Sequence, residues 1–84
     1  MRAANWASVA VPELGCGTVQ VVQWLVSPGT VVAAGDRLAE LLAGGVLFHL
    51  AADVDGVLVE VCRDRGAAAS TGETLAWIET AATR

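Results

Sequence analysis

The chain has 84 residues, 55% of them apolar and 17% charged, with a net charge of −4. That length supports one hydrophobic core and excludes a multidomain enzyme. The apolar content excludes a charge-rich disordered tail, and the acidic balance excludes a basic surface for nucleic acid or anionic membranes. No apolar stretch reaches the ~18 residues of a membrane-spanning helix before Gly, Pro, Gln, Asp or Glu interrupts it. Residues 1–8 hold one Arg and no apolar run, so they show no signal-peptide pattern, and the expected compartment is a cytoplasm. The chain is read as a single domain over 1–84, with its core at about 7–79.

Turn signals recur along the chain at Gly15 and Gly17, Pro28-Gly29, Gly35-Asp36, Gly44-Gly45, Asp55-Gly56, Gly66 and Gly72. Short runs rich in Val, Leu and Trp lie between them, which is the pattern of an all-β sandwich or barrel. The spacing predicts strands over residues 7–12, 18–26, 31–33, 37–42, 46–51, 56–63, 67–70 and 74–79. Ala67 to Ala69 favour helix by propensity, but the segment is too short to nucleate one. Residues 1–5 and 81–84 are expected to be loose ends.

An internal repeat is visible at an offset of 37 residues, with 21–41 laid over 58–78. Val22/Val59, Gly29/Gly66, Gly35/Gly72, Leu38/Leu75 and Ala39/Ala76 are identical pairs. Val21/Leu58, Asp36/Glu73 and Leu41/Ile78 are similar. Each half is too small to bury its apolar face alone. The two are therefore expected to close, about a quasi-twofold, into a flattened barrel of two sheets.

Gly44-Gly45 supplies two residues that accept positive φ, so a two-residue I′ or II′ turn is expected there. That turn fixes the register of its hairpin. Ala43 faces Val46, Leu42 faces Leu47, Leu41 faces Phe48, Glu40 faces His49 and Ala39 faces Leu50. Alternation sends Ala39, Leu41, Phe48 and Leu50 to the core. It sends Glu40, His49, Leu42 and Leu47 outward.

The chain contains no lysine; its basic residues are five arginines, and sixteen residues are Ala. A coding bias towards Arg and Ala accounts for most of the surface. Cys16 and Cys62 lie 46 residues apart with a single His in the chain, which is neither a zinc pattern nor a disulfide framework. Both read as reduced thiols. Cys62 matches Leu25 in the repeat and is expected to be a buried hydrophobe. Glu40 and His49 read as an exposed cross-strand pair. Gly15-Cys16-Gly17 precedes no helix and has no basic neighbour, so it is no phosphate loop. Asp55-Gly56 is explained by turn chemistry, with no need of a metal.

The strings Trp24-Leu25-Val26-Ser27-Pro28-Gly29 and Gly35-Asp36-Arg37-Leu38-Ala39-Glu40-Leu41, the strand Val54-Asp55-Gly56-Val57-Leu58-Val59-Glu60-Val61 and the segment Val11-Pro12-Glu13-Leu14-Gly15 resemble the lipoyl and biotinyl carrier domains. Within that family, Trp24 and Glu40 bring the chain nearer to the lipoyl domains of 2-oxo-acid dehydrogenase acyltransferases. The resemblance runs from about Val9 to Glu79. It implies two four-stranded antiparallel sheets, with a carrier lysine at the tip of a hairpin. Ungapped alignment from Leu38 through Asp55-Gly56 puts that lysine on Gly45, preceded by Gly44. Beside it, where the family is polar or acidic, stand Leu42, Ala43 and Leu47. The loop after Leu14, which the family places near the hairpin, is about two residues shorter, and Asp53 replaces a usual Pro.

No cofactor or metal is expected, and nothing in the chain forms a nucleophile–base–orienter set, so no enzyme is expected. The function implied is a protein-interaction or scaffolding module that self-associates, with an exchanged strand as one form of the homo-oligomer. Leu42, Leu47 and Trp6 are expected to form the interaction patch. The alternative is a divergent carrier or decoy component of a lipoyl- or biotin-dependent complex. A thiol on Cys16 replacing the carrier amine is a third, weaker reading of the tip.

Overall fold

The computed structural model describes residues 5–80. Eight strands follow one another: β1 Trp6–Ala10, β2 Thr18–Trp24, β3 Val31–Val32, β4 Arg37–Ala43, β5 Val46–Ala51, β6 Gly56–Val61, β7 Ala68–Ser70 and β8 Thr74–Glu79. They form two four-stranded antiparallel sheets, ordered β1-β8-β6-β3 and β5-β4-β2-β7. No helix occurs among the described residues. The all-β sandwich is the expected one. The expected second and sixth strands are too long: β2 ends at Trp24 and β6 at Val61, because the chain bends there to reach the Gly29 and Gly66 turns.

The quasi-twofold appears in the hydrogen bonds. Gly29 N–H donates to Leu58 C=O at 2.7 Å, and 37 residues on, Gly66 N–H donates to Val21 C=O at 2.7 Å. Leu25 N–H to Leu38 C=O is matched by Cys62 N–H to Leu75 C=O, both 2.8 Å. Asp36 caps its own turn by accepting from Ala33 N–H, as Glu73 does from Ser70 N–H. Both long strands are irregular at the same step, β2 between Val21 and Gln23 and β6 between Leu58 and Glu60, which isolates the identical Val22 and Val59. The symmetry maps β2, β3, β4 and β5 onto β6, β7, β8 and β1. The first strand of the chain thus completes the second half.

The core is the set of residues that the repeat makes equivalent. Leu38, Ala39 and Leu41 from β4 and Leu75, Ala76 and Ile78 from β8 are fully buried, with Val21 and Leu58 between them. An extra residue bulges from each of β4 and β8 against its edge strand: Ala39 and Arg37 pair with Leu50 and Ala51, and Ala76 and Thr74 pair with Val9 and Ala10. The bulge lets two successive side chains, Leu38-Ala39 or Leu75-Ala76, both turn inward. Trp24, half-buried, packs on the core and donates its indole N–H to Arg63 C=O at 2.7 Å. Arg63 also forms an ion pair with Glu73, so this residue of the loop after β6 is held through both its carbonyl and its side chain.

Asn5, expected to be loose, is tied down. Its amide donates to Thr80 C=O at 2.8 Å, and Thr80 N–H and hydroxyl both donate to Asn5 C=O. The other expected loose ends, residues 1–4 and 81–84, lie outside the described residues.

Among the glycines, Gly56 has the least room for a side chain. A Cβ there would lie 2.3 Å from Glu79 O and 2.7 Å from Ile78 Cγ2, so backbone must move to admit it. Gly56→Ala is expected to destabilise the domain by about 3 kcal/mol, the upper range of overpacking costs. Urea unfolding followed by far-UV circular dichroism measures this. A loss no larger than that of an exposed Gly→Ala change would show that β6 and β8 can separate freely.

Candidate functional site

The β4–β5 hairpin has the register its turn dictates: Ala43↔Val46, Leu42↔Leu47, Leu41↔Phe48, Glu40↔His49 and Ala39↔Leu50. Gly44 and Gly45 have φ of 57° and 81°, the positive pair of a type I′ turn. Alternation then decides which side chains meet solvent. Ala39, Leu41, Ala43 and Leu50 are buried and Phe48 is half-buried. On the outer face Leu42 is 37% and Leu47 51% exposed.

Glu40 and His49 face each other on the same outer face, with His49 Nε2 3.5 Å from Glu40 Oε2. Glu40 also accepts from Gln23 Nε2 at 2.8 Å. The carboxylate is therefore tied to two neighbouring strands. It is an exposed network without a nucleophile, of the kind that contributes under ~1 kcal/mol. Among the described residues no group of three or more His, Cys, Asp or Glu is arranged to hold a metal ion.

Cys16 lies against the turn. A Cβ on Gly44 would fall 2.8 Å from Cys16 Sγ. The loop carrying Cys16 is pinned by Thr71, whose hydroxyl donates to Cys16 C=O at 3.1 Å and whose N–H donates to Gly17 C=O at 3.0 Å. A Cβ on Gly45, by contrast, meets nothing within 4 Å. Gly45 is the open apex of the hairpin, and Gly44 is its shielded side. Cys62, expected to be buried, is half-buried, because its repeat-equivalent Leu25 lies on the outer side of the bend and is exposed.

Trp6 does not join this patch. It pairs with Glu79 on the other sheet, and its ring packs on Trp77 with centroids 6.4 Å apart. The quasi-twofold explains the separation. It carries the pair Leu42↔Leu47 onto Glu79↔Trp6, at the opposite pole of the molecule. The opposite end of β1, not Trp6, runs toward the hairpin, since Val11 is bonded to Gly72 and the adjacent Thr71 to the Cys16 loop. The expected triad of Leu42, Leu47 and Trp6 is thus split between two poles.

Val46 is the residue that the alternation argument overlooks. Its partner Ala43 is buried, yet Val46 is 54% exposed. It stands one step from the turn, where the core side of the strand has run past its cover. Position next to a hairpin apex is the signal that marks it. An open groove of about 240 Å³ lies further along the same strand, lined by Val9, Ala10 and Pro12 on one side and His49, Leu50 and Ala51 on the other, with Asp53 at its end.

The contact between Cys16 and the turn gives a coupling to measure. Gly44→Ala is expected to destabilise more in the wild-type background than beside Cys16→Ala, with an interaction energy of at least ~0.5 kcal/mol. A double-mutant cycle by chemical unfolding measures it. Additive effects would place the Cys16 side chain away from the turn.

Three comparisons bear on this arrangement. The family model described as Biotin-requiring enzyme matches residues 7–78. The dihydrolipoyllysine-residue succinyltransferase component of the 2-oxoglutarate dehydrogenase complex of Bacillus subtilis is 38% identical over 74 residues, which is 86% of this chain and 18% of that protein. The chain therefore spans about a fifth of that relative. Among solved structures, the lipoyl domain of the 2-oxoglutarate dehydrogenase complex from Azotobacter vinelandii superposes with a TM-score of 0.68 at 22% identity, covering 93% of this chain and all of that one. Urea carboxylase from Kluyveromyces lactis superposes at 0.82 with 17% identity, over 93% of this chain and 6% of that one. A single-chain, multi-domain long-chain acyl-CoA carboxylase superposes at 0.83 with 20% identity, over 99% of this chain and 8% of that one. The structural matches, all below 25% identity, establish the flattened two-sheet fold, and the family model matched over residues 7–78 establishes the family: the chain belongs to the biotin/lipoyl domain family.

Proposed function

We propose that this chain is a biotin/lipoyl-type domain that works without an acyl-carrying amine, as a protein-interaction module that self-associates through its hairpin tip. The observation that carries this reading is the tip itself. Its apex is Gly44-Gly45, the chain has no lysine, and Leu42, Val46 and Leu47 stand exposed around it. Amide attachment of lipoate or biotin needs a primary amine on a flexible stem. Arginine does not substitute, because its guanidinium stays protonated and is a poor acyl acceptor. The expected location at work is a cytoplasm.

The energetics favour association that involves more than side chains. Full burial of a leucine or valine contributes ~1.5–3 kcal/mol. Leu42, Val46 and Leu47 start partly covered, so each supplies less than that. Association costs ~4–15 kcal/mol in lost freedom. The tip side chains narrow that gap, and backbone pairing is needed to close it.

A second reading is a decoy component of a lipoyl- or biotin-dependent complex. The 38% identity to a succinyltransferase component over 86% of the chain favours it. The two readings separate at Gly45, where a side chain has room. The positive φ makes Gly45→Lys cost ~1–2 kcal/mol, which leaves a foldable variant. If ligases modify that lysine, the chain keeps the carrier surface and the decoy reading gains. If the folded variant stays unmodified, the interaction reading gains.

For the unaltered chain, intact mass after co-expression with lipoyl and biotin ligases is expected to show no added group. Light scattering at micromolar concentration is expected to give a multiple of the monomer mass. Leu42→Glu combined with Leu47→Lys is expected to return it to the monomer. A shift by one lipoyl or biotinyl mass would refute the absence of a carrier group. A monomeric wild type would refute self-association.

A further inference from the structure

The two sheets have four edges, and they differ in what they expose. β3 has two residues and β7 three, too short to template another strand. β1 carries no exposed large hydrophobe, whereas Val46 and Leu47 of β5, with Leu42 beside them, are three of the six exposed in the described chain. β5 also lacks every ordinary protection of an edge: no proline, no lysine, no acidic residue and no irregularity on its own side of the ladder between Val46 and Leu50.

The hairpin fixes which backbone groups face outward. A two-residue turn makes its first pair, Ala43 and Val46, hydrogen-bonded, and the pattern then alternates. Val46, Phe48 and Leu50 direct N–H and C=O towards β4. The bonds beyond the strand agree, since Ala52, in step with these residues, donates to Asp36 C=O and accepts from Gly35 N–H. Leu47, His49 and Ala51 therefore present N–H and C=O to the open side, where β5 has no neighbouring strand among the described residues.

We propose that the occupant of this edge is β5 of a second copy of the chain, antiparallel about a twofold axis between Phe48 and the partner's Phe48. This deepens the self-association reading and rests on it. In that register Leu47 N–H donates to C=O of the partner's His49, and His49 N–H donates to C=O of the partner's Leu47. The twofold repeats both bonds, so four outward donors and four acceptors are satisfied. The side chains match as well. Leu47 lies beside the partner's His49 on the outer face. On the inner face Phe48 meets the partner's Phe48, and Leu50 meets the partner's Val46.

The groove argues for this occupant. It opens beside Leu50, between β5 and β1, with Val9, Ala10 and Pro12 as its far wall. That is where the register delivers the partner's Val46, the exposed inner-face residue for which its own subunit has no cover. The two copies exchange this residue reciprocally, and the contact closes, because pairing consumes the β5 edge of both chains. A continuous eight-stranded sheet results, with Leu42 and Leu47 of both copies on one outer surface.

Amide hydrogen exchange by NMR, on the full chain at dilute and concentrated protein, tests the pairing alongside light scattering. Val46, Phe48 and Leu50 amides are expected to be protected in monomer and dimer alike. Leu47 and His49 amides are expected to exchange at least about tenfold more slowly once the dimer forms. Ala51 faces the partner's Gly45, whose C=O points to the open side because Val46 N–H points to β4, so Ala51 is protected only together with Leu47 and His49. His49→Pro removes one outward donor and none that faces β4, a change that edge strands accept. It is expected to be monomeric, while His49→Ala stays dimeric. Should His49→Pro fail to fold, the wild-type exchange data decide. A dimer whose Leu47 and His49 amides exchange as fast as in the monomer overturns the edge pairing but leaves self-association standing. Protection of Ala51 with Leu47 left exchangeable overturns this register. A chain that is monomeric at every concentration overturns both proposals.

Discussion

Two backbone hydrogen bonds hold the architecture together, Gly29 N–H to Leu58 C=O and Gly66 N–H to Val21 C=O. Each takes the turn of one half and fixes it to the central strand of the other. Neither half has enough apolar surface to form a core by itself, so the halves must interlock. The glycines are required because both turns need positive φ, 96° and 88°, where other residues are strained. Once the turns are exchanged, Leu38, Leu41 and Val21 of one half and Leu75, Ile78 and Leu58 of the other fall into one fully buried cluster. Most of the backbone hydrogen bonds of the turns repeat on either side of the axis.

The symmetry also explains how one molecule carries two unlike poles. The pair Leu42↔Leu47 at one end corresponds to Glu79↔Trp6 at the other. At the Trp6 pole the chain covers its aromatic ring with Trp77 and ties Asn5 to Thr80. At the hairpin pole nothing comparable among the described residues covers Leu42 and Leu47. The core demands equivalence between the halves, but the outer faces do not enter the core and are free to diverge. Function in this family member is therefore to be sought where the repeat is broken.

The hairpin apex shows how small the change from a carrier to a non-carrier tip can be. A type I′ turn tolerates glycine at both central positions at no steric cost. Gly44 is shielded by Cys16, while Gly45 opens onto solvent. The fold would accept a side chain at the apex with modest strain, so its absence reflects the chemistry of this chain and is not imposed by packing. Around that apex Leu42, Val46 and Leu47 are the exposed large hydrophobic residues.

The sequence alone determined whatever depends on period and turn chemistry. The all-β class followed from evenly spaced Gly, Pro and Asp between apolar runs. The quasi-twofold followed from the 37-residue offset. The register of Leu42 with Leu47 and of Glu40 with His49 followed from Gly44-Gly45, because a two-residue turn leaves no freedom in the pairing. The tertiary structure alone decided what lies close in space across the chain. Trp6 was legible as an aromatic near the N-terminus, but only the assignment of β1 to the second half sends it away from Leu42 and Leu47. Val46 was legible only as the partner of Ala43 beside the turn, and the end of the opposing cover is what exposes it. The groove between Val9 and Leu50 has no local signal, because it arises where two edge strands from different sheets come side by side. Periodicity speaks of a strand's own two faces; which edges remain open is settled only when all eight strands have found their neighbours.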